Sequence, residues 1–254
     1  MQDDSALQRA VAMVADLRAR CDWDRVQTRE TLRPYLIEEV HELDAALAAN
    51  QRDAIRDEVA DLMLHLAWQL ALGAELGEFT PDDIADQLVA KMRRRHPHLF
   101  AQGDREAWQQ LKARERPPGT GTLDGLPATL PALLLAFRLQ ERAAGVGFDW
   151  PDTAGPANKV REELGEVEAE LGATATGTPP DALVDEVGDL LFAVVNLARK
   201  AGVHPSLALD RANRKFRTRF EQVEGLARER AIALDTAGID RLDELWDEVK
   251  RRSP

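Results

Sequence analysis

The chain has 254 residues, and its 45 acidic residues against 33 basic ones give a formal net charge of −12. This balance suits a protein that binds divalent cations, and it disfavours nucleic acid or an anionic membrane as a partner, because both require a basic face. The single cysteine, Cys21, excludes an internal disulfide framework and a cysteine-rich zinc site. No apolar run reaches the roughly 18 residues that span a bilayer, and the polar start is unlike a signal peptide. We therefore expect a soluble cytoplasmic protein.

Helix-favouring residues dominate the composition, and the period of two that is typical of strands is essentially absent. We therefore predict an all-α protein. Thr80, Pro81 and the two acids that follow form an N-cap, a first-turn proline and an acidic first turn, which mark a helix start. Apolar spacings of three and four place helices near residues 7–17, 29–49, 51–76, 80–96, 130–144, 155–172, 181–202, 204–234 and 240–252.

Residues 116–127 interrupt the helical pattern with three prolines and three glycines in twelve positions. Such a composition does not form a helix and is typical of a linker or long loop. We predict a helical N-terminal domain over 1–116, a linker over 117–127 and a helical C-terminal domain over 128–254.

The two halves carry the same motifs in the same order. Residues 38–42 (EEVHE) precede 58–61 (EVAD), and residues 162–166 (EELGE) precede 186–189 (EVGD). A Lys-x-x-x-Arg pair follows each set, first as Lys91 and Arg95 and then as Lys215 and Arg219. This order indicates an internal duplication that gives two tandem four-helix units.

Pairs of acids recur on neighbouring predicted helices. Glu39 with Glu42, and Glu58 with Asp61, are three residues apart and share a helix face. A short turn near Asn50 makes the two helices antiparallel, so that the four carboxylates face one another; positions 163, 166, 186 and 189 repeat the arrangement. Carboxylates this close raise one another's pKa, and a hard cation such as Mg²⁺ or Mn²⁺ removes that penalty.

Two other interpretations of these acids stay open. A single pair is explained as well by a solvated helix face, although recurrence in both halves and adjacent apolar stripes favour partly inward positions. The Glu38-x-x-His41 spacing matches a di-iron bundle, but Gly165 stands where the second half would need its histidine. We interpret His65, on an apolar helix, as a hydrogen-bonded core histidine.

The motifs together resemble the MazG-type, all-α nucleoside triphosphate pyrophosphohydrolases. Their signature is E-E-x-x-E followed by E-x-x-D, which both halves contain. The resemblance extends to residues 23–28, 94–100 (RRHPHLF), 146–150 (VGFDW) and 188–192 (GDLLF), and it covers nearly the whole chain, including the tandem layout.

The resemblance implies hydrolysis of a nucleoside triphosphate to the monophosphate and pyrophosphate with Mg²⁺, Mn²⁺ being the alternative metal, and it implies a homodimer. It implies that Glu162 orients or deprotonates the attacking water. The metal ligands that it implies are Glu39, Glu42, Glu58, Asp61, Glu163, Glu166, Glu186 and Asp189.

Basic side chains are the expected partners of the phosphates. Lys159 lies three residues before Glu162 and resembles a substrate-binding lysine of the family, and the two Lys-x-x-x-Arg pairs supply further cations. Trp246 and Lys250 stand where similar proteins have a tryptophan and a lysine near the nucleotide, although Trp246 fits a core position equally well. In the first half, Trp108 and Lys112 have the same spacing.

The halves also differ, which predicts that the second carries most of the catalysis. Tyr35 stands where the second half has Lys159, and it supplies no fixed positive charge. Trp68 stands where the second half has Asn196, seven residues after Asp189 and on the same helix face.

A non-catalytic helical module that senses nucleotides or binds a partner is the alternative function. Both carboxylate sets are complete, which favours the enzyme. The sequence contains no G-x-x-x-x-G-K-[ST] motif, which excludes a P-loop enzyme.

Overall fold

The structure, a computed structural model, describes residues 5–101, 111, 115, 117, 119–173 and 179–252. Along these residues it contains eleven helices and no strand, which confirms the all-α prediction. The helices are α1 (Ala6–Arg20), α2 (Asp22–Arg25), α3 (Arg29–Ala49), α4 (Arg52–Glu75), α5 (Pro81–Arg95), α6 (Pro97–Phe100), α7 (Ala132–Ala144), α8 (Ala154–Ala173), α9 (Asp181–Lys200), α10 (Pro205–Glu229) and α11 (Ile239–Arg252).

The chain divides into two compact units, Met1–Arg105 and Glu106–Pro254. The described part of the 117–127 segment lies in the second unit and forms turns, with Gly119 and Gly125 in the left-handed region at φ 84° and 75°. The proposed bounds of the two domains and the linker stay a prediction.

The first unit is built on the helix pair α3 and α4, with α1 packed against α4. The chain reverses between α3 and α4 at Asn50, which adopts a left-handed conformation with φ 53° and caps α3. Buried residues from α1, α3 and α4 form one core; they include Val14, Leu32, Ala67, Trp68 and Leu72. Helix α5 packs chiefly against the short α6.

The second unit has the same central feature, the closely packed pair α8 and α9. Helix α7 packs against α9 and α10, and α11 packs against α10. The α10–α11 contact buries its own apolar cluster, formed by Val223, Leu226, Ala227, Leu245 and Val249. Among the described residues, no helix is both long and apolar enough to cross a membrane.

One predicted helix end is wrong. The helix that begins at Pro205 ends at Glu229 and does not continue to residue 234. Ala231 adopts a left-handed conformation at φ 51°, and the Ile232 amide donates back to the Ala227 carbonyl at 2.9 Å. Ile232 and Leu234 lie beyond the helix end and pack against the α10–α11 cluster, which explains why apolar residues continue past Glu229.

Candidate metal centre

The first carboxylate cluster joins α3 and α4. Carboxylate oxygens of Glu39, Glu58 and Asp61 lie within 4.8 Å of one another. Glu42 lies beside this group, close enough for its carboxylate to raise the pKa of Glu58. Burial, and then the surrounding carboxylates, raise the pKa values of Glu39 and Glu58. The cluster therefore holds excess negative charge that a cation would neutralise.

The second cluster joins α8 and α9 and is centred on Glu163, which is only 4 % exposed. Oxygens of Glu163, Glu186 and Asp189 lie within 4.8 Å of one another, and a second such group joins Glu163 to Glu162 and Glu166. Glu163 belongs to both groups, so it is the shared ligand of any cation placed in either.

A lysine partly neutralises the second cluster. Lys159 Nζ lies 2.7 Å from Glu162 Oε1 and 2.6 Å from Glu163 Oε1. The hydrogen bond from Lys159 lowers the pKa of Glu163 and keeps this carboxylate ionised. A hydrogen bond with Glu163 raises the pKa of Glu166. In the first half, Tyr35 is 45 % exposed and meets the Trp23 ring edge-on, with the centroids 6.3 Å apart.

The carboxylate clusters are more exposed to solvent than the neighbouring apolar residues of the sequence predict. Glu163 is buried and Glu39, Glu58 and Glu186 are half-buried, but the other four ligand candidates are exposed: Glu42, Asp61, Glu166 and Asp189. The stripe residues beside them are exposed as well; Val40 is 49 % exposed and Leu164 is 46 % exposed. Among the residues that the structure describes, the expected inward position holds for only part of each cluster.

The donor chemistry fits a hard divalent cation. Among the described residues, every group of candidate ligands consists of carboxylates alone. Oxygen-only donor sets favour Mg²⁺ or Mn²⁺. His41 is exposed and joins neither cluster. The arrangement therefore lacks the histidine that a di-iron site would take from the Glu38-x-x-His41 spacing.

Known proteins resemble this chain in sequence. The sequence profile of the MazG nucleotide pyrophosphohydrolase domain matches residues 27–100, which include the first cluster. The Nucleoside triphosphate pyrophosphohydrolase/pyrophosphatase MazG of Thermotoga maritima is 38 % identical over 234 residues, covering 91 % of this chain and 89 % of the relative. The Nucleoside triphosphate pyrophosphohydrolase of Escherichia coli K12 is 38 % identical over 241 residues, covering 91 % of each chain.

The chain belongs to the MazG family. A further relative, the Nucleoside triphosphate pyrophosphohydrolase of Mycobacterium tuberculosis, is 31 % identical over 189 residues, covering 71 % of this chain and 56 % of the relative. The match to the first two relatives runs along nearly their whole length, so this MazG family member is similar to them over both halves.

The predicted phosphate-binding pairs of this MazG family member lie on other helices than the acids, Lys91 and Arg95 on α5 and Lys215 and Arg219 on α10. Lys91 and Lys215 are exposed, and Arg95 and Arg219 are half-buried. Helix α5 packs against α6, and α10 packs mainly against α7 and α11. Their contact with phosphate stays a prediction.

The surroundings of Trp246 on α11 are compatible with a core position and with a contact to the nucleotide. Trp246 is half-buried, packs against the α10–α11 cluster and lies 5.4 Å from the Phe216 ring, measured between centroids. Lys250 is paired with Asp247 at 2.7 Å. Trp108 and Lys112, the corresponding first-half pair, lie outside the described residues.

The sequence analysis assigns no function to three residues that lie near Asn196, namely Asp149, Arg199 and Lys200. Asn196 Oδ1 accepts two hydrogen bonds from Arg199, and Arg199 and Lys200 both pair with Asp149. Asp149 belongs to the VGFDW motif, which both this chain and the MazG family contain. That motif is the one feature of the sequence that points to Asp149. Its partners lie 50 and 51 residues further on, a separation at which spacing alone carries no information.

Proposed function

We propose that this protein hydrolyses nucleoside triphosphates, as NTPs or dNTPs, to the nucleoside monophosphate and pyrophosphate with Mg²⁺, Mn²⁺ being the alternative metal. The observation that carries the proposal is the pair of four-carboxylate clusters, each assembled from two neighbouring helices. The names of the relatives support the reaction class, because each describes a nucleoside triphosphate pyrophosphohydrolase. Control of the nucleotide pool is the physiological role that such a reaction serves.

The metal ligands are the eight carboxylates, four from each cluster. Bound Mg²⁺ would neutralise triphosphate oxygens and lower the pKa of a bound water, which makes a nucleophile at neutral pH. Glu163 contributes most to binding in the second cluster, because it is buried, ionised and shared between two ligand groups.

The remaining charged side chains orient the water and the substrate. Glu162 is exposed, and its ion pair with Lys159 holds its carboxylate beside the metal ligands, where it can accept a proton from the attacking water. Lys159, Lys215 and Arg219 provide positive charge for the phosphates, which is the main requirement of phosphoryl-type transfer. Lys91 and Arg95 have this role in the first half, and Asn196, Trp246 and Lys250 contact the nucleotide.

A homodimer would cover the exposed helix faces next to the clusters. Apolar side chains that are 50–59 % exposed recur on both central helix pairs: Leu47, Val59, Leu66, Leu171, Val184 and Leu191. Exposed apolar side chains that cluster on one surface mark an interaction site. A second copy of the chain supplies the same surface and completes each bundle. Light scattering after size exclusion should give twice the chain mass, and Val184→Lys should shift it toward one chain mass.

We further propose that the protein acts in the cytoplasm without a nucleic-acid or membrane partner. The net charge of −12 supports this, because phosphate backbones and anionic lipids repel an acidic surface.

Product analysis by anion exchange tests the proposed reaction. The protein is incubated with a panel of NTPs and dNTPs and Mg²⁺. The expected products are the monophosphate and pyrophosphate in equal amounts. Release of a diphosphate and phosphate would refute the reaction. Nucleotide binding without turnover would favour the alternative, a non-catalytic nucleotide-sensing or partner-binding helical module.

A further inference from the structure

The segment before α8 carries a carboxylate that the proposed reaction does not use. Asp149 Oδ1 accepts a hydrogen bond from Arg199 Nη2 at 2.5 Å, and Oδ2 accepts one from Lys200 Nζ at 3.0 Å. The three side chains are partly exposed, Arg199 at 12 %, Lys200 at 20 % and Asp149 at 22 %. The hydrogen bond from Arg199, followed by that from Lys200, lowers the pKa of Asp149 to about 2. Asp149 is therefore a charged anchor for two side chains of α9.

Arg199 extends this contact to a third residue. Its Nε and Nη2 atoms donate to Asn196 Oδ1 at 3.1 and 2.8 Å. A guanidinium has hydrogen-bond donors only, so the amide of Asn196 must turn its oxygen toward Arg199 and its Nδ2 away. Among the residues that the structure describes, none accepts a hydrogen bond from Nδ2. Asn196 therefore offers two donors in a fixed direction.

The position of Asn196 identifies the part of the substrate that it meets. Asn196 follows Asp189 by seven residues, which is about 10.5 Å along the helix axis and on the same face. A nucleotide whose phosphates lie at the carboxylate cluster spans that distance with its nucleoside. In the first unit, Trp68 is buried at the corresponding position, and Ala71 and Leu72 replace the two cations.

We propose that Asp149, acting through Arg199, holds Asn196 as a hydrogen-bond donor to an acceptor on the nucleoside part of the substrate. The inference rests on the proposed function in two respects: its ligand is a nucleoside triphosphate, and the phosphates lie at the second carboxylate cluster. Asn196 touches the substrate, and Asp149 and Arg199 are positioning residues. The acceptor is an oxygen or ring nitrogen of the sugar or the base, and phosphate is not involved.

A double-mutant cycle on binding tests the coupling. Titration calorimetry with Mg²⁺ and the α,β-methylene analogues of ATP and CTP gives Kd without turnover. Asp149→Asn and Asn196→Ala should each raise Kd about tenfold, as expected for the loss of one buried hydrogen bond. The double variant should bind no more weakly than Asn196→Ala alone, because Asp149 acts only through Asn196.

Inorganic tripolyphosphate separates a nucleoside contact from a general loss of the site. It carries the three phosphates without sugar or base, so its Kd should stay within about twofold of wild type in every variant. Unequal effects of Asn196→Ala on the ATP and CTP analogues assign the contact to the base. Equal effects assign it to the sugar.

The chain offers a matched control carboxylate. Glu248 also lies between two cations, Arg230 at 2.7 Å and Arg252 at 2.5 Å, and its side chain is 23 % exposed. Glu248→Gln should leave the Kd of both analogues within about twofold of wild type. If Asp149→Asn does not fold, Arg199→Lys takes its place, because one ammonium group cannot span Asp149 and Asn196.

The inference would be overturned if the losses of binding free energy in Asp149→Asn and Asn196→Ala added up in the double variant. It would also be overturned if Asp149→Asn weakened tripolyphosphate binding as much as it weakens analogue binding. A wild-type protein that binds the analogues no more tightly than tripolyphosphate would overturn it too. The proposed reaction fails separately: wild type would then bind the analogues and cleave no NTP, while the cycle still decides the role of Asp149.

Discussion

At the scale of single residues, Glu186 is the most direct test of the metal centre. It is half-buried, and its oxygens approach those of Glu163 and Asp189 within 4.8 Å. Glu186→Gln keeps the shape of the side chain and removes one charged ligand. We expect kcat/KM for NTP hydrolysis to fall by about 100-fold or more, because the cation loses affinity and position. Initial rates over a Mg²⁺ titration measure the loss.

Glu168→Gln is the control for this variant. Glu168 is exposed on α8, five residues after Glu163, and belongs to neither ligand group. Its substitution makes the same chemical change outside the cluster, so activity should stay at the wild-type level. Activity of Glu186→Gln near that level would contradict the assigned site.

The charge of Asp149 predicts a pH dependence of stability. Its pKa is lowered from an ordinary 3.8 to about 2, chiefly by Arg199. A depressed pKa stabilises the native state above the unfolded value, and the stabilisation is lost as the pH falls from about 4 to about 2. Between those pH values wild type should lose about 1–2 kcal/mol more than Asp149→Asn, allowing for partial exposure. Urea denaturation at pH 2, 3, 4 and 7 measures this, and parallel curves would contradict the ion pair.

Residues whose partners are local could be predicted from the sequence, and residues with distant partners could not. The acid pairs are three residues apart, so helix geometry alone places them together. Asp149 and Arg199 are 50 residues apart, and only the packing of the folded chain joins them. His65 shows the same limit: it is buried as predicted, but the sequence does not identify the partners of its ring, and no described residue pairs with its Nδ1.

At the scale of helices, boundaries with a chemical signal were predicted well. Thr80 accepts a hydrogen bond from the Asp83 amide at 3.2 Å, and Pro81 is the first residue of α5, as the sequence indicates. No glycine or proline follows the last residue of α10, Glu229, before Gly238, and the apolar pattern continues past the helix end. The one-turn helices α2 and α6 are too short for a periodicity signal.

The helix pairs α3–α4 and α8–α9 predict stabilisation by metal. Carboxylates that repel one another in the native state raise its free energy, and a cation that binds only this state removes the repulsion. At a Mg²⁺ concentration about 100 times Kd, each occupied site should add about 2.7 kcal/mol to the free energy of unfolding. Thermal melts in EDTA and in saturating Mg²⁺ measure the shift.

Two controls test whether the stabilisation comes from Mg²⁺ bound at the clusters: a monovalent salt and a variant that lacks one carboxylate in each cluster. NaCl at matched ionic strength should give a much smaller shift, because Na⁺ screens the carboxylates without binding them. In Glu58→Gln/Glu186→Gln, one ligand is lost from each pair, and the Mg²⁺-dependent shift should shrink. A melting temperature that is the same in EDTA and in Mg²⁺ would contradict the clustered arrangement.

At the scale of the whole molecule, the two units share a helix pair with four acids and differ in what surrounds it. Lys159 neutralises the second cluster, whereas Tyr35 leaves the first without that charge. Asn196 is hydrogen-bonded to Arg199 two turns beyond Asp189, whereas Trp68 is buried in the first core with the Arg18 guanidinium 5.3 Å from its ring centroid. The first unit has the donors for a cation but not the same set of side chains for a nucleotide.

This difference predicts that the second unit carries most of the catalysis. Glu58→Ala and Glu186→Ala each remove a half-buried carboxylate, one from each cluster. We expect kcat/KM to fall by about 100-fold or more in Glu186→Ala and by less than about threefold in Glu58→Ala. Circular dichroism establishes that both variants keep their helices. If Glu58→Ala stays folded and loses as much activity as Glu186→Ala, both clusters serve catalysis equally, because the Tyr35 and Trp68 replacements would then have no effect on turnover.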